Sequence, residues 1–190
     1  LNDYYLLSTK DLAIYSRLEK IVRSSVDSIK IEGRMKTPEY VANVLKVYRK
    51  ALNSLAKGKW NPSNLEISQI KMCFNRGLTD GWIFDKTSSV MGRDHPGNRG
   101  LYLGQVTNYP KKQGYTTIKR ENNVEPEKGD GIVFKDPEKT GLSANIWGTI
   151  LAHNPSTEKN HLFLKLEKGV KTGSEVFITR RKSMVDEAKK

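Results

Sequence analysis

Cysteine is almost absent from this sequence, and Cys73 stands alone. One thiol builds no internal disulfide framework and suits a reducing compartment, so a cytoplasmic location is expected. Nor does one thiolate hold an iron–sulfur cluster, which takes four. Long apolar runs are also missing, and no stretch approaches the length of a membrane span, so no membrane partner is expected. No His-Glu-x-x-His motif occurs, and His95, His153 and His161 are isolated, so no metal site is expected. No spacing singles out a nucleophile and its base, which leaves catalytic residues unassigned. Acidic residues are in deficit: 21 Asp and Glu stand against 33 Lys and Arg, a formal net charge of +12. A surplus of that size favours an anionic partner, above all nucleic acid.

Against these absences one stretch stands out, Ser28-Ile29-Lys30-Ile31-Glu32-Gly33-Arg34-Met35-Lys36. The alternation over Ser28–Glu32 reads as a strand with Ile29 and Ile31 on one face and Lys30 and Glu32 on the other. The helix start after it is well marked. Thr37 is placed to cap, Pro38 suits the first helical position, and Glu39 favours the positive end of the helix dipole. Apolar residues at Tyr40, Val41, Val44, Leu45, Tyr48, Ala51, Leu52 and Leu55 then follow the helical period. On a strand packed against its following helix, Lys30 and Glu32 face the other side of the sheet, the mouth of the lumen in a parallel α/β barrel.

Along the rest of the chain, Ser8 and Asp11 mark the start of an expected helix reaching about Ser24. A turn-rich linker at Gly58–Ser63 leads to a second helix through Leu65, Ile67, Ile70 and Phe74, stopping at Gly77. Leu78–Gly100 reads as an irregular polar loop containing Arg93, Asp94, His95, Asn98 and Arg99. Beyond it, period-two segments indicate six short strands: 101–107, 115–119, 131–134, 146–152, 161–167 and 175–179. A small antiparallel barrel is expected from these, since closure removes exposed edges. A basic Arg180-Arg181-Lys182 run precedes a polar tail.

SIKIEGRMK with Tyr40-Val41 and Tyr48-Arg49-Lys50-Ala51 resembles the collagenase-like peptidase family U32. Lys10-Asp11-Leu12 upstream, and Phe74-Asn75-Arg76-Gly77-Leu78-Thr79-Asp80-Gly81 downstream, extend the similarity. So do Asn98-Arg99-Gly100 and Gly104-Gln105-Val106. The resemblance implies an α+β fold, with a C-terminal βα remnant of a TIM-like barrel ahead of the small β-barrel. That barrel is loosely similar to the second domain of elongation-factor-Tu-type proteins. Expected units are 1–57 (terminal αβα part), 58–100 (linker helix and polar loop), 101–182 (β-barrel) and 183–190 (tail). The family's cysteine-rich block has no counterpart here. The chain is therefore expected to be the C-terminal portion of a longer protein, whose remainder packs on residues 1–57.

Some members of the family are similar to cluster-containing enzymes that hydroxylate tRNA or rRNA bases. The resemblance thus implies no cofactor in this portion and an iron–sulfur cluster in the preceding part of the parent. Ala13 stands where a cysteine often follows the Asp-Leu of such members. In the RNA reading Lys30, Glu32 and Arg34 bind substrate, and Lys36, Arg93, Arg99, Arg180, Arg181 and Lys182 contact nucleic acid. Two alternatives stay open: a collagenase-like peptidase acting on a protein substrate, and a non-catalytic barrel that docks a protein partner.

Overall fold

The computed structural model describes residues 5–34, 36–86, 89–92, 96–109, 115–139, 145–155, 161–165 and 170–189. Helices and sheet are both present, so the α+β class holds. The chain opens on a two-residue strand β1 (Asp11–Leu12), a 3-10 turn (Tyr15–Arg17) and a short helix α1 (Leu18–Val22). The single helix expected from Ser8 to Ser24 does not form. Its first third is drawn into a parallel pair with β2 (Leu78–Thr79), Asp11 opposite Leu78 and Leu12 opposite Thr79.

Residues 28–32 are a second departure: they run without ladder bonds and form no strand. Ile31 packs on the helical core while Ile29 is 37% exposed. Alternation gives a segment two faces, but a strand also needs a neighbour to bond, and none lies beside it among the described residues.

Helix α2 (Pro38–Ala56) begins where its local signals place it. The Thr37 hydroxyl accepts the Tyr40 amide at 3.3 Å, and Pro38 occupies the first turn. Helix α3 (Asn64–Cys73) is capped by Ser63 and ends at Cys73, because Phe74 turns extended at φ −170°. Tyr15, Leu18, Val44, Val47, Tyr48, Ala51 and Ile70 form the core of this half. The Tyr15 hydroxyl donates to Glu66, which also takes Lys50 at 2.8 Å, so the one buried acid of α3 is neutralised.

The second half is a seven-stranded antiparallel sheet. Its strands are β3 (Leu101–Asn108), β4 (Tyr115–Arg120), β5 (Gly131–Lys135), β6 (Asn145–Thr149), β7 (Ala152–Pro155), β8 (His161–Lys165) and β9 (Glu175–Arg180), in the order β6-β5-β9-β3-β4-β8-β7. The strand expected at 146–152 is split. Ile150 bonds Asp130 beside β5, and Leu151 already bonds the Lys165 carbonyl of β8, so the chain changes partners within one step. That switch curls the sheet, yet no ladder joins β6 to β7 among the described residues. The barrel expected from the sequence is therefore an open, curled sheet. Period two is kept where it was clearest: Leu162 and Leu164 are both buried, opposite Ile118 and Thr116.

Met72 of α3 enters the sheet core with Leu103, Val106, Ile118, Ile132, Phe134, Val176 and Ile178, and so ties the two halves together. Asn75 and Asn98 complete the join. Asn75 Nδ2 donates to the Gly100 carbonyl at 2.9 Å, and Asn98 Nδ2 donates to the Thr179 carbonyl at 3.2 Å. Gly100 sits at φ +70°, where any Cβ would collide with the Ile178 carbonyl oxygen; only glycine fits this crossing.

The tail expected after residue 182 is a helix, α4 (Lys182–Ala188), with no buried residue of its own. It is strapped at both ends. Lys182 N–H donates to Asp130 Oδ1 at 2.9 Å, Asn43 Nδ2 of α2 donates to the Met184 carbonyl at 3.3 Å, and Lys46 pairs with Glu187.

Candidate nucleic-acid interface

Two concavities flank α4. The first, about 490 Å³, lies along the seam between the halves. Tyr40, Met72, Phe74 and Met184 supply apolar wall, and Asn98, Arg180 and Lys189 supply polar rim. The second, about 400 Å³, is lined by Lys128, Arg180, Lys182 and Lys189 against the single acid Asp186. Arg180, Val185 and Lys189 belong to both, so the two meet around one short helix. Among the described residues, none of those four cations makes an ion pair within 4 Å. Several cations elsewhere are spent: Arg76 on Asp11, Arg120 on Glu125, Lys171 on Asp136 and Glu138. Clustered cations that outnumber the nearby acids, Asp186 and Glu39, set up the positive potential that phosphates seek.

The basic run Arg180-Arg181-Lys182 divides in two. Arg180 and Lys182 are exposed and line the concavities. Arg181 turns inward, with its side chain 13% exposed. It donates to the Asp130 carboxylate at 3.0 Å, to Glu127 at 2.8 Å and to the Glu125 carbonyl at 2.5 Å. Asp130 is fully buried and takes three donors, from Arg181, Lys182 N–H and Glu127 N–H, so it anchors α4 to the sheet. Arg181 thus holds the frame of the groove.

Lys36 lies with its ammonium 2.8 Å from the centre of the Phe74 ring, and Tyr40 stands edge-on to the same ring. Burial is the main cause of a lowered Lys36 pKa, helped by nearby Arg76 and opposed by Asp11. Asp11 accepts Arg76 through Nη2 at 2.7 Å, Nε at 3.0 Å and the backbone N–H at 2.8 Å. Thus three of the sequence blocks singled out above, around Asp11, Lys36 and Phe74–Gly77, come together in space. Arg99 is half-buried and its backbone N–H donates to Asn75. Arg93 lies outside the described residues.

Lys30, Glu32 and Arg34 sit apart from both concavities. Lys30 and Glu32 are 86% and 68% exposed in their side chains and pair with each other at 3.6 Å. The Glu32 carboxylate accepts the Arg34 amide at 3.1 Å. That bond, with Lys30 second, holds its pKa below the usual carboxylate value. The pair is a turn-stabilising contact at the surface in this chain.

Burial pushes the Cys73 thiol up to about 12, so it stays protonated at neutral pH. Among the described residues no three His, Cys, Asp or Glu side chains gather as a metal or cluster requires, so the residues present do not fit a cluster by themselves. No helix among them is long and apolar enough to cross a membrane. Sequence reasoning missed Lys128 and Lys189 as groove residues. Lys128 was legible only as part of a turn and Lys189 only as part of a polar tail.

Residues 2–92 match the model of Peptidase family U32. Relatives include the tRNA hydroxylation protein P1 of Bacillus subtilis, 30% identical over 75% of this chain and 34% of that protein. A collagenase of Porphyromonas gingivalis is 28% identical over 72% of the chain and 39% of its own length. An uncharacterized protease of Methanocaldococcus jannaschii is 31% identical over 93% of the chain and 45% of its own length. The chain therefore spans between 34% and 45% of the length of these three relatives. The matches of 151 and 188 residues are longer than the 2–92 segment, so the similarity extends into the sheet. No solved structure matches significantly. By the family model and the relatives together, this chain belongs to peptidase family U32.

Proposed function

We propose that this chain is the RNA-binding portion of a protein that hydroxylates bases in tRNA or rRNA, working in the cytoplasm. The observation that carries the reading is the groove around α4, where Lys128, Arg180, Lys182 and Lys189 line a concavity without ion-pair partners. Lys and Arg in such an arrangement neutralise successive phosphates, fix the register of a folded RNA and leave sequence reading to other contacts. The similarity to a tRNA hydroxylation protein supports the same direction. Proteolysis, which the collagenase relative's name brings forward, is less well served here. The one thiol is held protonated by burial, which does not suit a nucleophile.

In this reading the parallel pair β1–β2, with α2 and α3, is the terminal part of a larger TIM-like barrel. The curled sheet is an appended module similar to the second domain of elongation-factor-Tu-type proteins. Two parallel strands seldom stand alone. Leu6, Leu7, Leu12, Val22 and Val26 are exposed at 46% or more, an apolar surface that suits packing by the remainder of a parent chain on residues 1–57. Lys30, Glu32 and Arg34 then serve as substrate contacts at that junction. The iron–sulfur cluster of the parent belongs to the part preceding this one.

Titration of fluorescent tRNA with the whole chain at about 50 and 200 mM salt tests the proposal. Binding that weakens steeply with salt is expected. No binding at the lower salt, or cleavage of gelatin by the chain, would overturn it.

A further inference from the structure

The seam cavity and the basic concavity differ in chemistry yet share Arg180, Val185 and Lys189. About 490 Å³ is ample for one nucleotide and lies within the range of small-molecule sites. Its walls are ring and thioether surface from Tyr40, Phe74 and Met184, with Asn98 and Thr37 as polar groups; Arg180 and Lys189 lie at the shared rim, Arg181 is spent on Asp130 and Glu127, and Glu39 is the one acid of the lining. A ligand that is flat at one end and anionic at the other matches that gradient. Aromatic and thioether surface receives a nucleobase, and the rim cations receive its phosphate. A peptide without acidic groups would leave the rim cations unpaired, and a bare anion would leave the apolar wall unused.

Resting on the RNA reading, we propose that the seam cavity takes one nucleotide turned out of the RNA. Its base lies against Tyr40, Phe74 and Met184, and its 5′-phosphate lies on Arg180 and Lys189. The strand on either side runs over Lys128 and Lys182. Turning a base out costs stacking energy that is lowest in loops and unpaired regions, so the preferred RNA carries a single-stranded segment beside a stem. Tyr40 keeps its proton because burial raises its pKa, which leaves no phenolate to repel the phosphate.

Amide NMR spectra of the full chain, titrated separately with uridine 5′-monophosphate, uridine and inorganic phosphate, test this. The mononucleotide should shift the amides of Tyr40, Cys73, Thr179 and Val185. Uridine should bind about tenfold more weakly or worse, and phosphate should move only the neighbours of Arg180 and Lys189. Met184→Trp, which fills the cavity, should abolish the mononucleotide shifts. Should that variant misfold, the wild-type titrations decide alone. If the mononucleotide and phosphate shift the same amides equally while the cavity wall stays silent, the base is not recognised and the inference falls, though the RNA reading survives. A Gly-Pro-rich peptide that shifts the wall amides in place of the mononucleotide would overturn it too. Absence of tRNA binding at low salt would remove the RNA reading, and this inference with it.

Discussion

The two halves of this molecule are built to different standards of self-sufficiency. Among the described residues, the sheet half buries twelve in one core (counting Met72 from α3) and leaves only Trp147 and Leu151 as large exposed apolar side chains. The helical half buries seven, and ten of the twelve large exposed apolar residues among those described lie in it, before residue 92. The family segment, residues 2–92, coincides with that second, barely covered half. A fold that closes its own core is a frame. One that leaves Leu7 94% exposed and Trp82 64% exposed has surface to share. The groove lies where the frame meets the shared part, with α4 strapped to both.

Core truncation should separate the halves most sharply. Leu103 is fully buried in the sheet, so Leu103→Ala should cost about 2–5 kcal/mol in urea unfolding. Leu45, 49% exposed on α2, should lose under about 1 kcal/mol on the same change. Equal losses would mean that the helical half is covered after all.

Next in size, Asp130→Ala should cost about 1–3 kcal/mol, because Arg181 and two backbone N–H groups lose their acceptor. It should also loosen α4, read as faster amide exchange over 182–188, while α2 stays protected. Protection of α4 unchanged would show that the Asn43 and Lys46 contacts suffice to hold it.

The smallest effect shows in the pH dependence. The Glu138 amide, followed by Lys171, holds the Asp136 carboxyl below its ordinary pKa of 3.8. A carboxylate depressed in the folded state stabilises above its unfolded pKa, and that contribution is lost as pH falls through about 3.8 toward the lower folded value. Asp136→Asn should therefore lower stability near neutrality and leave it little changed in strong acid, so that the acid limb of the sheet's stability curve flattens. A variant curve that keeps its acid slope would place the sensitive carboxyl elsewhere.

Local signals were legible in the sequence and long-range ones were not. Thr37-Pro38-Glu39 carried the start of α2 because capping is decided within one turn. Leu162 and Leu164 carried a strand because alternation is visible without its partner. The segment at 28–32 has the same alternation but no neighbour to bond, and Asp11–Leu12 leaves its helix for a partner at Leu78–Thr79. Tertiary pairing overrides local pattern in both cases. Arg180 and Arg181 look equivalent in sequence. The turn from strand to helix sends one outward and the other to a buried Asp130, which no charge count distinguishes. The basic surplus pointed to an anion, and the groove that concentrates it depends on positions from Lys128 to Lys189 meeting around α4.

The most direct test of the groove is the slope of log affinity against log salt for tRNA, measured on the wild type and on Lys128→Gln/Arg180→Gln/Lys182→Gln. Each lost phosphate contact should lower the slope by about 0.7–0.9, so the triple variant should lose about 2 or more. An unchanged slope, with the variant folded and tRNA still bound, would place the RNA on another face and contradict the account.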